Sequence, residues 1–231
     1  MLTMIAQEIS VRNVTVMNTP SVPDPVTRIA DRLRNPFGMD PPCIAGTPVC
    51  GYGDPNADFH VIGDHPGIHG GIDTGIPFDE STRGQKILEV LTLVGLLTPE
   101  RDGTPRPTNT FLSYVHPCPP KAGRHPEPTS YEELDRFFDA ELRAVNAHIL
   151  LPIGKRATDR ILAKYTTQRY KVPPSMGDRH ASEIRGRGFL VVPAKDPTHW
   201  TEDDKDLYSQ TIETILASDY RQTKGVATMI G

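Results

Sequence analysis

The chain has 231 residues, of which 37% are hydrophobic, and a mean hydropathy of −0.39. That is enough to bury one full core, and no stretch approaches the roughly 20 apolar residues of a membrane span. A formal net charge of −4 argues against a chain that binds nucleic acid through its overall charge, although a local basic patch acts independently of the sum. Cys43, Cys50 and Cys118 are an odd number with no CxxC pair, so they read as reduced thiols, and neither a disulfide framework nor an ordinary zinc site is expected. The N-terminal residues lack a basic start followed by an unbroken apolar stretch, which leads to the expectation of a soluble, cytoplasmic protein.

Residues 1–50 are rich in proline and hold one helical pattern, at 26–33, which reads as an arm laid across the domain. From residue 58 the pattern becomes regular. Short β-branched apolar runs at 58–63, 109–116, 148–153 and 188–194 predict four buried strands. Between them, residues 81–97 place Ile87, Leu88, Leu91 and Val94 on one face, and Ser130 with Glu133 is a capping-box signature opening a helix to about residue 146. Helices at 154–165 and 203–217 complete the set. Strands alternating with helices predict a three-layer α/β/α domain over residues 51–218, with a central, mainly parallel, four-stranded sheet and a short tail at 219–231. Such sheets hold ligands at the carboxyl ends of their strands.

The loop after the first strand, residues 63–78, holds five glycines, two prolines, two histidines and two aspartates, more than a strand-to-helix connection requires. Gly51-Tyr52-Gly53 with Ala57-Asp58, then Gly63-Asp64-His65-Pro66-Gly67, His69-Gly70-Gly71 and Gly75-Ile76-Pro77-Phe78, resemble the first motif of uracil-DNA glycosylases of the archaeal and thermophilic branches. The resemblance continues through Pro119-Pro120, Arg124-His125-Pro126 and Leu151-Pro152-Ile153-Gly154, and spans about residues 51–217. It implies a glycosylase fold and hydrolysis of the N-glycosidic bond of uracil or another deaminated base in DNA, by a monomer that needs no membrane. Such an enzyme turns the nucleotide out of the stack and holds the base edge before water attacks the sugar.

By that resemblance Asp64 is the candidate catalytic carboxylate, orienting water and stabilising the oxocarbenium-like sugar. Phe78 is either the ring that stacks on the base or a core ring closing the loop. Backbone N–H groups around Gly67 to Gly71 are candidate donors to the base or a phosphate, and His65 and His69 are candidate neutral donors. Gly63 and Pro66 shape the same loop. Two motifs depart from the family. Ser113, with Tyr114 beside it, stands where an asparagine reads the uracil edge, and Asp196 stands where the last motif carries histidine; Lys195 or His199 is the candidate to supply that role from a neighbouring position. Lys121, Arg124, Lys155 and Lys195 are the candidate DNA-backbone contacts. With three cysteines and Phe137 near the place of a fourth ligand, no 4Fe-4S cluster and no other cofactor is expected. The alternatives are a superfamily member that binds DNA or a nucleotide without excision, and a nucleotide hydrolase on a similar fold; the latter would not be an ordinary P-loop enzyme, because no G-x-x-x-x-G-K-[ST] is present.

Overall fold

The computed structural model describes residues 32–101, 103–121, 124–168, 170–172 and 175–220. The four predicted strands form, as Phe59–Gly63 (β2), Thr110–Tyr114 (β5), Ile149–Pro152 (β6) and Phe189–Val191 (β8), and they pair in parallel in the order β5-β2-β6-β8. The sheet has six strands instead of the expected four. Tyr52–Gly53 (β1) adds antiparallel to β5 and Ile184–Gly186 (β7) antiparallel to β8. Both edge strands have three residues or fewer, too short for an alternating pattern to register in the sequence. A separate hairpin pairs Leu97–Pro99 (β3) with Pro105–Pro107 (β4).

Side chains alternate across the sheet, so each strand feeds two cores. On one face Phe59, Val61, Leu112 and Leu151 pack against the helices Thr82–Leu93 (α2) and Glu202–Ala217 (α6) through Ile87, Leu91, Tyr208 and Ile212. On the other, Ile62, Leu150 and Val191 pack against Pro128–Ala144 (α3) and Gly154–Tyr165 (α4) through Phe138, Leu142, Ile161 and Leu162. Two further short helices, Pro66–His69 (α1) and Met176–Arg179 (α5), and a 3-10 turn at Pro197–His199 lie beyond strand ends.

Several boundaries differ from the sequence reading. α2 stops at Leu93 because Gly95 takes a φ of 77° and turns the chain into β3. α3 begins at Pro128, two residues before the predicted Ser130 cap. Proline suits the first turn, and the Ser130 hydroxyl lies 2.8 Å from the Glu127 carbonyl and 3.1 Å from His116 Nε2, so it caps nothing. The capping box is instead at α6, where Thr201 and Asp204 satisfy each other's backbone N–H groups. Residues 1–31, with most of the predicted 26–33 helix, lie outside the described residues.

The arm from residue 34 to residue 50 is held by Arg34 Nη1 on the Thr74 carbonyl at 2.6 Å and by Val49 N–H on the Pro117 carbonyl at 2.9 Å. It is also held by a Cys43–Cys118 disulfide, with Cα atoms 5.5 Å apart. The reading of three reduced thiols is therefore corrected. A separation of 75 residues hides the pair in the sequence, and the fold brings the arm onto the loop after β5. Cys50 remains a free thiol. Among the described residues no helix is long and apolar enough to cross a membrane.

Candidate functional site

The carboxyl ends of β2, β6 and β8 open into a cavity of about 670 Å³, lined by Asp64, His69, Lys155, Arg156, Lys195 and Asp196 among others. Asp64 follows the last residue of β2. Its Oδ1 accepts the Tyr131 hydroxyl at 2.7 Å, and its Oδ2 lies 3.5 Å from Arg156 Nε. The Arg156 guanidinium sits 4.4 Å over the Tyr131 ring, so the two side chains that hold the carboxylate also brace each other. Burial lifts the Asp64 carboxyl above the usual aspartate range, against the opposing pull of Tyr131, Arg156 and His125.

His69 ends the single turn of α1, 2% exposed, and borders the same cavity. Its Nδ1 accepts the Asp64 backbone N–H at 3.1 Å, which places the ring proton on Nε2. Burial, reinforced by Arg83 and opposed by Asp196, pushes the imidazole down to about 4, so it is a neutral N–H donor near pH 7. Gly63 makes this possible: a Cβ there would lie 2.6 Å from the Tyr114 ring and 2.9 Å from His69 Nδ1.

The end of the loop, from Ile76 to Phe78, is folded back into the core. Phe78 is fully buried, with its ring centroid 5.6 Å from that of His69 and 5.3 Å from that of Tyr114, and it does not border the cavity. Its φ of 70° is strained for a side chain, and its N–H is fixed by the Tyr114 hydroxyl at 2.6 Å; that hydroxyl in turn donates to the Gly70 carbonyl at 2.9 Å. The Ser81 hydroxyl donates to the His69 carbonyl and accepts the Gly84 N–H, capping α2. At Gly84 a Cβ would meet the Phe78 carbonyl at 1.9 Å and the His69 carbonyl at 2.4 Å, so helix and loop touch backbone to backbone. The N–H groups of Ile68, His69 and Gly70 are spent inside the turn on the carbonyls of His65 and Pro66, which leaves them unavailable to a ligand.

The other predicted residues fall as follows. Ser113 points to the α3 side of the sheet, 2.8 Å from His60 Nε2 and bonded to Glu141; Tyr114 braces the loop. Neither borders the cavity. Asp196 does; its carboxylate accepts the Thr198 N–H at 2.9 Å and lies 3.6 Å from Arg83. Burial works to raise its pKa, but Thr198, Arg83 and His69 outweigh it and hold the group below the usual range, so it is ionised and paired. His199 lies on the same rim, exposed. Lys155 and Lys195 border the cavity, but both are paired, with Asp159 and, at 2.7 Å, with Asp204. His65 lies behind Asp64 with its Nε2 3.3 Å from His125 Nδ1. Lys121 and Arg124 belong to a neighbouring, smaller cleft. Sequence reasoning missed Tyr131, whose position in the first turn of α3 puts it opposite the end of β2, a placement with no local signal.

A family model for the uracil DNA glycosylase superfamily matches residues 50–215. The chain belongs to the uracil DNA glycosylase superfamily. It is 27% identical over 180 residues to a type-5 uracil-DNA glycosylase of Pyrobaculum aerophilum, covering 74% of each chain. It is also 27% identical over 145 residues to a type-5 uracil-DNA glycosylase of Thermus thermophilus, covering 58% of this chain and 65% of that one. Cys43 and Cys118 are bonded to each other, and burial and then Glu141 and Asp40 raise the Cys50 thiol to about 11. Among the described residues no group of three or more His, Cys, Asp or Glu is placed to hold a metal ion.

Proposed function

We propose that this protein hydrolyses the N-glycosidic bond of uracil or another deaminated base in DNA. The observation that carries the reading is the Asp64 carboxylate and the neutral His69 imidazole bordering one cavity at the strand ends, with the Asp64 backbone N–H donating to His69 Nδ1. As the bond from the sugar to the base nitrogen breaks, its electron pair moves onto the base and charge builds on the adjacent carbonyl oxygen. The Nε2–H of His69 is the donor for that oxygen, and it takes the part that histidine plays in the last motif of relatives. Asp64, anchored by Tyr131 and Arg156, orients water toward the sugar and receives its proton; a carboxyl raised by burial suits that transfer. Asp196 stays ionised at the rim, with Arg83 as its counter-charge 3.6 Å away. Backbone phosphates meet Lys121 and Arg124 on the neighbouring cleft.

The test is alkali cleavage of a labelled uracil oligonucleotide, as single strand and as U·G duplex, after incubation with the protein. Asp64→Asn and His69→Gln are each expected to lower the single-turnover rate by about 10²-fold or more. Variants as fast as the parent protein would refute the assignment. The ionised Asp196 favours a second reading, a member that binds DNA without excision, and salt-sensitive binding with no cleavage would select it.

A further inference from the structure

Beside the main cavity lies a second cleft of about 330 Å³. The two are separated by a wall one side chain thick. Asp64 borders the first cleft, and His116 and His125 border the second. Tyr131 bridges them, with its hydroxyl on Asp64 and its ring centroid 4.9 Å from that of His116. His65 Nε2 touches His125 Nδ1 through the same wall. We infer that the second cleft is a base-binding subsite for the nucleotide adjacent to the one excised. The inference rests on the DNA reading above.

Its lining suits that occupant. Pro42, Pro119 and Pro120 line it with apolar rings, and Ile44 stands 94% exposed at the lip, a large apolar side chain that lacks cover among the described residues. A nucleobase stacked on this surface would cover it. Lys121 and Arg124 are exposed on the same cleft and, among the described residues, no carboxylate pairs with either, so they are available to the phosphates on each side of the base. Glu127 and Glu133, also on the lining, are acceptors for an exocyclic amino group, which makes cytosine a suitable probe. The shape of the cleft depends on the disulfide. Cys118 lines it, and the bond to Cys43 holds the Pro42 to Ala45 wall against Pro119 and Pro120.

The experiment uses single-stranded oligonucleotides with one uracil between two cytosines, in which either neighbour is replaced by a tetrahydrofuran abasic analogue. Affinity is read by fluorescence anisotropy and excision by alkali cleavage. One of the two replacements is expected to weaken binding about tenfold, the size of one stacked base. In Ile44→Asp and in Cys43→Ser the penalty should fall below twofold, with far-UV circular dichroism showing that each variant is folded. The proposal is overturned if neither replacement costs more than twofold, if the penalty persists in both variants, or if the parent protein fails to bind. Binding that depends on a neighbour without excision would remove the glycosylase reading and keep the subsite. Excision indifferent to both neighbours would remove the subsite alone.

Discussion

The Tyr114 hydroxyl ties together the two ends of the loop from Gly70 to Phe78. Tyr114→Phe removes it and changes nothing else in the ring packing. Two partners are then stranded: the Phe78 N–H at 2.6 Å, on a residue with no exposure, and the Gly70 carbonyl at 2.9 Å. A buried polar group left without a partner costs about 1–3 kcal/mol, and the orphaned N–H is the more severe loss because it has no second site to bond through. The expected destabilisation is about 3 kcal/mol, which for a chain of this size lowers the melting midpoint by about 6–12 °C. Urea unfolding with an unchanged m-value is the assay. Tyr208→Phe is the control: that ring is equally buried, but its hydroxyl makes one long bond, to the Val192 carbonyl at 3.4 Å, and its loss should cost under about 1 kcal/mol. A Tyr114→Phe cost below about 0.5 kcal/mol, or one no larger than that of the control, would refute the reasoning.

Two further predictions concern groups outside the cavity. Burial holds the Glu141 carboxyl up to about 7, against hydrogen bonds from Ser113 and the Gly51 backbone, while in the unfolded chain it titrates at the ordinary 4.5. The folded state thus binds the proton more tightly, and stability falls as pH rises between those two values. Glu141→Gln should flatten this slope and be more stable than the parent at pH 8 by about 3 kcal/mol; urea midpoints at pH 5 and pH 8 measure it, and parallel curves for the two proteins would disprove it. Reduction of Cys43–Cys118, which closes a loop of 75 residues, should cost about 4 kcal/mol in the chain-entropy account. Unfolding with and without a phosphine reductant tests this, and Cys43→Ser should abolish the response.

The strands and long helices were legible because their signals are local. The runs at 59–63 and 149–152 are buried on both faces and read as continuous apolar stretches, and α2 and α6 carry stripes at helical spacing. The loop motif placed Asp64 and His69 in one short segment, so their proximity was also readable. What stayed hidden was set by long-range packing. Tyr131 meets Asp64 across 67 positions, and Cys43 meets Cys118 across 75. The role of Phe78 depends on which way its ring turns, and that is decided by Tyr114, 36 residues away. Ser113 and Tyr114 follow the same logic: neighbours on a strand face opposite sides, and neither side at their level opens into the main cavity.

The close approach at Gly84 bears on how this protein could change over generations. Within the loop Ile72 and Asp73 can drift, since both are exposed and make few demands on the fold. Position 84 has no such latitude. Adding even one methyl group there would lever the first turn of α2 away from the carbonyls of His69 and Phe78 and carry the imidazole off its hydrogen bond to Asp64. A residue that makes no contact with any substrate would therefore be among the slowest to vary, and the spacing of a helix from a loop would be what selection preserves.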